Sequence, residues 1–268
     1  MRKLFITGTD TDVGKTEVAV LLLNALARAG FDTVAMKPIA AGCEWRAVSS
    51  ANMQNCSSTQ TNGADSESPR SHHQSGYWVN EDALKLQAAA TLQLPYSKVN
   101  PFAYEPAIAP HIAAMAEKNS AEIPLSVTQL LKHWQHLAAL DADVLLTEGA
   151  GGWQLPLNAL EDMPSFVSRA NMDVILVVGM RLGCLNHALL TISAIKALGL
   201  KVAGWVANQA TPDVMPMYKE NLATLRSRIA APLLAEVPYF SGAEMEAQQQ
   251  VWLEQQNWLS QLKLSAKR

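Results

Sequence analysis

A chain of 268 residues, 49% of them hydrophobic, can bury the core of one large domain or two small ones. A formal net charge of −3 argues against electrostatic capture of nucleic acid or an acidic membrane, and no apolar run approaches membrane-spanning length. Three cysteines, Cys43, Cys56 and Cys184, form no disulfide framework and point to a reducing cytoplasm.

Met1-Arg2-Lys3 runs straight into an apolar segment, whereas a secretory leader needs a longer apolar stretch and a cleavage site. The pattern predicts a strand over Lys3–Thr7. Gly8-Thr9-Asp10-Thr11-Asp12-Val13-Gly14-Lys15-Thr16 follows, and then an amphipathic run. Strand, glycine loop, Lys-Thr and helix is the layout of a nucleotide phosphate cradle. Consecutive backbone N–H groups form a concave anion site, and the new helix adds its positive end. Lys15 can reach the outer phosphates, and the Thr16 hydroxyl can hold Mg²⁺. The usual pattern has four residues between its first glycine and Gly-Lys. Here five separate Gly8 from Gly14.

The next element is a predicted helix, Lys15–Ala29. Val18, Leu21, Leu22, Ala25, Leu26 and Ala29 give it one apolar face, and Gly30 stops it. Short apolar runs predict further strands at Thr33–Met36, Asp143–Thr147, Asp173–Val178, Val202–Ala207 and Leu233–Val237. A helix over Cys184–Leu198 repeats the apolar face with Leu185, Ala188, Leu189, Ile192 and Ile195 before Gly199. This alternation predicts an α/β, single-domain, P-loop NTPase-like fold, a mostly parallel sheet with helices on both faces. Ligands then sit at the carboxyl ends of the strands. The main domain takes residues 1–240 and a C-terminal helical extension takes 241–268.

Two segments break the rhythm. Residues 43 to about 79, rich in Ser, Asn, Gln and Thr, read as a long flexible surface insertion. Cys43, Cys56, His72 and His73 fall within it, but their spacings match no compact metal motif. From Ser241 the chain is Gln-rich, with Trp252, Trp258, Leu259 and Leu262 at partly helical spacing. A docked helix fits this better than a membrane helix, because the other face carries Gln and Asn instead of Lys and Arg.

Chemistry-bearing residues cluster at predicted strand ends. Thr147-Glu148-Gly149-Ala150-Gly151-Gly152 puts a carboxylate after an apolar strand, where it can bind Mg²⁺ directly or through water. The alternative is a glycine turn whose Glu faces solvent. Lys37-Pro38 ends the second strand, and a lysine there can stabilise charge on a transferring phosphoryl group or simply be solvated. Asp82, in Asn80-Glu81-Asp82-Ala83-Leu84, is either a cap or first-turn acid, or a second Mg²⁺ carboxylate. Cys184 stands at a helix start, where a thiol pKa can fall, but no base stands nearby in sequence to make it a nucleophile. On their own, Asn208 reads as a strand-end cap, Asn186 as an exposed helix residue and Trp205 as core.

Together these motifs resemble the dethiobiotin synthetases, ATP-dependent cyclising ligases of biotin synthesis. The resemblance includes Thr7 to Thr16 with its five-residue spacing, Lys37-Pro38, Asn80 to Leu84, Val99-Asn100-Pro101, Glu105-Pro106 and Pro110-His111. It continues in Glu148 to Trp153, in Gly183-Cys184-Leu185-Asn186-His187-Ala188 and in Gly204-Trp205-Val206-Ala207-Asn208. It covers about residues 1–42 and 80–240. What it implies is ring closure of 7,8-diaminononanoate with CO₂, through a carbamate and a carbamic-phosphoric anhydride, giving ADP, phosphate and dethiobiotin. By the resemblance, Lys15, Lys37 and Thr11 are catalytic. Asp12, Val13, Gly14, Lys15, Thr16 and Glu17 hold the phosphates of ATP, and Asn208, Val237 and Pro238 lie at its adenine. Thr16, Asp82 and Glu148 bind Mg²⁺. Lys37, Ala41, Gly151, Gly183, Cys184 and Asn186 face the diamine, with Gly183 to Asn186 reaching across a homodimer interface to its carboxylate. Many family members carry Ser where this chain has Ala41, so one hydroxyl contact is missing. The insertion reads as an inert surface loop.

Rival readings are weaker. Related amidoligases usually carry a glutaminase domain, for which the residues beyond 240 leave no room. Partitioning ATPases typically carry an extra lysine early in the loop, where this chain has Thr9, Asp10 and Thr11. A paralogue on this fold with another substrate has Ala41 as its only support.

Overall fold

The computed structural model describes residues 1–47, 76–116 and 125–264. The chain opens with β1 (Arg2–Gly8), α1 (Lys15–Arg28), β2 (Thr33–Met36) and β3 (Ile39–Ala41). Next come β4 (Glu44–Ala47), β5 (Gly76–Val79), α2 (Glu81–Ala89), α3 (Tyr96–Val99), β6 (Phe102–Tyr104) and α4 (Pro110–Ala116). The middle continues through α5 (Val127–Ala138), β7 (Val144–Gly152), α6 (Met163–Arg169), β8 (Asp173–Gly179) and α7 (Cys184–Ala197). The last elements are β9 (Val202–Asn208), α8 (Tyr218–Arg228), β10 (Leu233–Val237), α9 (Met245–Glu254) and α10 (Trp258–Gln261).

Six strands form one parallel sheet in the order β10-β9-β8-β1-β7-β2. Side chains alternate between its faces, as a period of two requires. Leu4, Ile6, Val144, Leu146, Ile175 and Val177 point to one face, where they meet Val18, Leu21 and Leu22 of α1. Phe5, Val34, Leu145 and Val174 point to the other, against Leu130 and Trp134 of α5 and Phe166 of α6. Further along that sheet, Leu176, Val178 and Trp205 pack with Cys184, Ala188 and Ile192 of α7 and Leu222 of α8. Both faces are covered, so the central strands are apolar throughout. The fold is P-loop NTPase-like, with all six strands pointing their carboxyl ends at one edge.

Local signals set the helix starts. Ser126 and Gln129 form a reciprocal capping box on α5, and Asp162 caps α6, with Pro164 in its first turn. Asn80 caps α2 by accepting from the Ala83 amide at 3.2 Å.

Three expectations need correction. The strand expected to stop at Thr147 runs on to Gly152, because Gly152 still pairs with Gly8 of the central strand. The insertion is not irregular from residue 43. Cys43 is buried, and Glu44–Ala47 pairs antiparallel with Gly76–Val79, with the Trp45 and Trp78 rings edge to face at 5.2 Å. Paired aromatic rings stabilise such a ribbon. Cys56, His72 and His73 lie outside the described residues. The third is Cys184, whose thiol is buried at the start of α7.

The segment from Ser241 docks on the α1 face of the sheet. Leu253, Trp258 and Leu262 are buried in the same cluster as Leu4 and Val18. Trp252 bridges Phe240 and Trp258 at 5.8 and 6.2 Å between ring centroids. Among the described residues, no helix is long and apolar enough to cross a membrane.

Candidate active site

The loop between β1 and α1 is shaped by two close approaches. At Gly14, φ is +82°, and a Cβ there would lie 2.1 Å from Asn208 Nδ2. At Gly8, a Cβ would meet Val13 Cγ2 at 2.5 Å and the Asp10 carbonyl at 2.8 Å. Glycine at both positions lets buried Val13 tuck under the loop. Asp12 also takes a left-handed conformation, φ +57°, which Asp tolerates better than most residues. The Asp10 carboxylate accepts from the Thr11 amide at 2.8 Å and pairs with Arg181. Lys15 Nζ donates to the Asp10 carbonyl at 3.0 Å, so the loop closes on its own lysine.

Beside the loop, four side chains converge, from α1, β7, α2 and the link between β2 and β3. Thr16 Oγ1 donates to Glu148 Oε1 at 2.8 Å, and Lys37 Nζ donates to the same oxygen at 2.6 Å. Lys37 Nζ also lies 3.2 Å from Asp82 Oδ2. Lys37 and Glu148 are buried, with Glu148 at 1% exposure, which removes the solvent-facing reading of that carboxylate. Glu148 pairs in register with Ile6 of β1, so the parallel sheet itself delivers it to the phosphate loop. Asp82 is a first-turn acid of α2, and its carboxylate also reaches Lys37.

The charges are strongly coupled. Burial pulls the Lys15 ammonium below its ordinary value; Glu148 opposes this, Lys37 reinforces it, and Asp82 and Asp12 oppose it more weakly. Burial also acts to lower Lys37, but Glu148 and Asp82 outweigh it and hold that ammonium above its ordinary value. Glu148 Oε2 is buried without a hydrogen-bond partner. An unpartnered carboxylate oxygen beside a hydroxyl and a second carboxylate is a hard-oxygen donor set, which fits Mg²⁺. No group of three or more His, Cys, Asp or Glu able to hold a metal occurs among the described residues.

The remaining candidate residues are spread over several elements. Asn208 ends β9 and is buried, its Nδ2 donating to the Val13 carbonyl at 2.8 Å. Its strand neighbour is Val237, and Pro238 follows at the surface. Thr11 approaches Gly151, whose φ is +62°: a Cβ at Gly151 would stand 3.8 Å from Thr11 Oγ1. Glu17 contacts Gln249 of α9. Burial raises the Glu17 pKa, against Lys85 and this hydrogen bond. Ala41 is half-buried in β3, away from the six-stranded sheet. Gly183 takes φ +94° at the start of α7, with Asn186 exposed one turn on. Cys184 corrects the expectation from its helix position: burial pushes its thiol up, and backbone hydrogen bonds only partly offset this. Sequence reasoning missed the Arg181–Asp10 pair and assigned no role to Tyr96 or Asn100. The charge of Arg181 just after a strand end was the one available signal.

The family described as AAA domain matches residues 2–247. The ATP-dependent dethiobiotin synthetase BioD of Alteromonas mediterranea is 44% identical over 254 residues, covering 91% of this chain and 95% of its own. The protein of the same name from Cellvibrio japonicus is 45% identical over 246 residues, covering 92% and 93%. That from Idiomarina loihiensis is 41% identical, covering 90% and 95%. Among solved structures, cell division protein FtsY of Thermotoga maritima aligns with a TM-score of 0.41 at 11% identity, covering 87% of this chain and 60% of its own. A phosphate loop with a buried lysine–carboxylate pair beside it, and this degree of identity over nearly the whole length, lead to one conclusion: the chain belongs to the ATP-dependent dethiobiotin synthetase family.

Proposed function

We propose that the protein closes 7,8-diaminononanoate and CO₂ into dethiobiotin at the expense of ATP, with Mg²⁺ as its ion. The observation that carries this reading is the buried Lys37–Glu148 pair, joined by the Thr16 hydroxyl, beside the phosphate loop. It supplies positive charge and hard oxygen donors where a γ-phosphate meets a loop of this type.

One amine of the substrate adds to CO₂ and loses a proton, forming a carbamate. A carbamate oxygen attacks the γ-phosphorus, and the bond to the bridging oxygen of ADP breaks. The second amine then attacks the carbamoyl carbon, expels phosphate and loses its proton, which closes the ureido ring. Little covalent work falls to the protein; positioning and charge do most of it. Lys15 exchanges its bond to the Asp10 carbonyl for a phosphate oxygen. Lys37, held protonated by Glu148 and Asp82, stabilises the charge that builds on the transferring group. Thr16, Glu148 and Asp82 hold Mg²⁺, which neutralises phosphate charge when bound. Thr11 and the loop amides orient the acceptor. Asn208 keeps a second amide hydrogen and a carbonyl oxygen for the adenine edge, helped by Val237 and Pro238. Gly183, Cys184 and Asn186, with Gly151, face the diamine across a homodimer boundary. Exposed Leu182 and Leu190 supply apolar surface for that boundary.

The test is phosphate release from Mg·ATP in bicarbonate buffer, with and without the diamine, with mass detection of the cyclic urea. Matching, diamine-dependent amounts of phosphate and dethiobiotin are expected, and Lys15→Ala abolishes both while the fold persists. Nucleotide binding without diamine-dependent turnover would move the assignment to another substrate.

A further inference from the structure

Asn100 is buried, and both ends of its side-chain amide are engaged. Its Nδ2 donates to the Lys37 carbonyl at 2.7 Å and to the Phe102 carbonyl at 3.4 Å. The Lys37 amide donates to the Val99 carbonyl at 2.8 Å. The peptide that carries Lys37 is therefore clamped on both sides by residues 99 and 100. One turn earlier, Tyr96 Oη donates to Asn100 Oδ1 at 2.9 Å and accepts from the Asn80 amide at 2.8 Å. Asn80 caps α2, and α2 carries Asp82, whose carboxylate returns to Lys37 Nζ at 3.2 Å. The connections form a closed circuit: Lys37 side chain, Asp82, the cap of α2, the Tyr96 phenol, the Asn100 amide, Lys37 peptide.

The circuit matters because Asp82 is poorly fixed by its own surroundings. Its side chain is 41% exposed, whereas that of Lys37 is 5% exposed. The placement of Asp82 depends on where α2 begins, and that start is tied to Tyr96. Burial raises the Tyr96 phenol to about 12, so it keeps its donor proton at neutral pH. The Tyr77 ring stands over it at 5.7 Å.

We propose that Tyr96 and Asn100 are positioning residues, which hold the Lys37 ammonium and the Asp82 carboxylate in register for phosphoryl transfer. This rests on the roles assigned above to Lys37 and Asp82. Neither Tyr96 nor Asn100 needs to touch substrate; each acts through the element it ties down.

Tyr96→Phe is the direct test, since it removes one oxygen and leaves the ring against Tyr77. Tyr77→Phe is the control. Two readouts are taken on the full chain: kcat and KM for ATP and the diamine, and ADP affinity by calorimetry with and without Mg²⁺. For Tyr96→Phe, kcat should fall about tenfold with KM for ATP within about twofold, because small misplacements act on the transition state more than on binding. The gain in ADP affinity that Mg²⁺ brings should shrink about threefold, with the thermal midpoint nearly unchanged. Asn100→Asp keeps the oxygen that accepts from Tyr96 and removes the donor on the Lys37 carbonyl; it should move kcat in the same sense. Wild-type kcat and a wild-type Mg²⁺ gain in Tyr96→Phe overturn the proposal. So does a loss of activity matched by an equal loss of folded protein. If the wild type shows no diamine-dependent turnover, the proposed function falls, and the Mg²⁺ gain alone decides the positioning role.

Discussion

Lys37 Nζ lies 2.6 Å from Glu148 Oε1, and both side chains are sealed from solvent. The same oxygen accepts the Thr16 hydroxyl, so the pair is anchored to the first turn of the phosphate-loop helix. Glu148→Gln keeps the shape and an acceptor but leaves Lys37 without its buried counter-charge. Removing one partner of a buried pair costs about 3–5 kcal/mol, of which Asp82 offsets part. The urea midpoint should therefore drop without a change in slope. Turnover should fall by about a hundredfold or more, as when a preorganised charge is lost. Wild-type stability in this variant would show that the pair is not closed in solution.

A second prediction concerns Gly14. A side chain there must adopt a left-handed backbone and also displace Asn208 Nδ2, 2.1 Å from the ideal Cβ. Gly14→Ala should therefore strain the loop by about 1–3 kcal/mol and break the Asn208–Val13 hydrogen bond. ADP affinity, measured by calorimetry, should fall at least about tenfold, since about 1.4 kcal/mol suffices for that. An unaltered affinity would mean that the loop relaxes freely around the methyl group.

The six sheet strands were legible in the sequence. Each strand is a short apolar run, and a doubly covered parallel sheet leaves few other arrangements for such runs. The short pairs β3–β6 and β4–β5 were not legible, because three or four residues carry no readable period. The extension of β7 through its glycines was hidden by the weak strand propensity of glycine. At the site, Lys15 and Thr16 announce themselves by motif. The meeting of Lys37 with Asp82 and Glu148 does not, since it links residues far apart in sequence on separate elements. Tyr96 was invisible for the same reason: its role depends on the distance between two elements that only the fold brings together.

Cys184 offers a pH test. Burial raises its thiol above the ordinary value of 9.0. Between 9.0 and the folded value, the native state binds more protons than the unfolded chain. The associated stability is thus fully present below pH 9.0 and is lost as pH rises through the folded value. The stability difference between wild type and Cys184→Ala should stay level up to pH 9.0 and decline above it. Alkylation of Cys184 by iodoacetamide at pH 8 should be slower than that of the same thiol in urea, because less thiolate is present and the sulfur is buried. Faster alkylation in the native state would restore the activated-thiol reading.

The C-terminal extension should act on stability more than on nucleotide binding. Trp258 is 2% exposed, within the cluster that includes Leu4, Val18 and Leu22, so Trp258→Ala removes a large part of that face. Such truncations cost about 3–5 kcal/mol. The phosphate end of α1 is held from other directions, by β1 through the loop, by Asn208 on Val13 and by Glu148 on Thr16. Among the described residues, the Gln249–Glu17 hydrogen bond links α9 to the first turn of α1, and Arg28 meets Gln250 and Glu254 at the far end. Trp258→Ala should therefore lower the urea midpoint markedly while ADP affinity stays within about threefold, a change under about 0.7 kcal/mol. A large affinity loss at full folding would instead make the extension part of the nucleotide site, acting through Glu17.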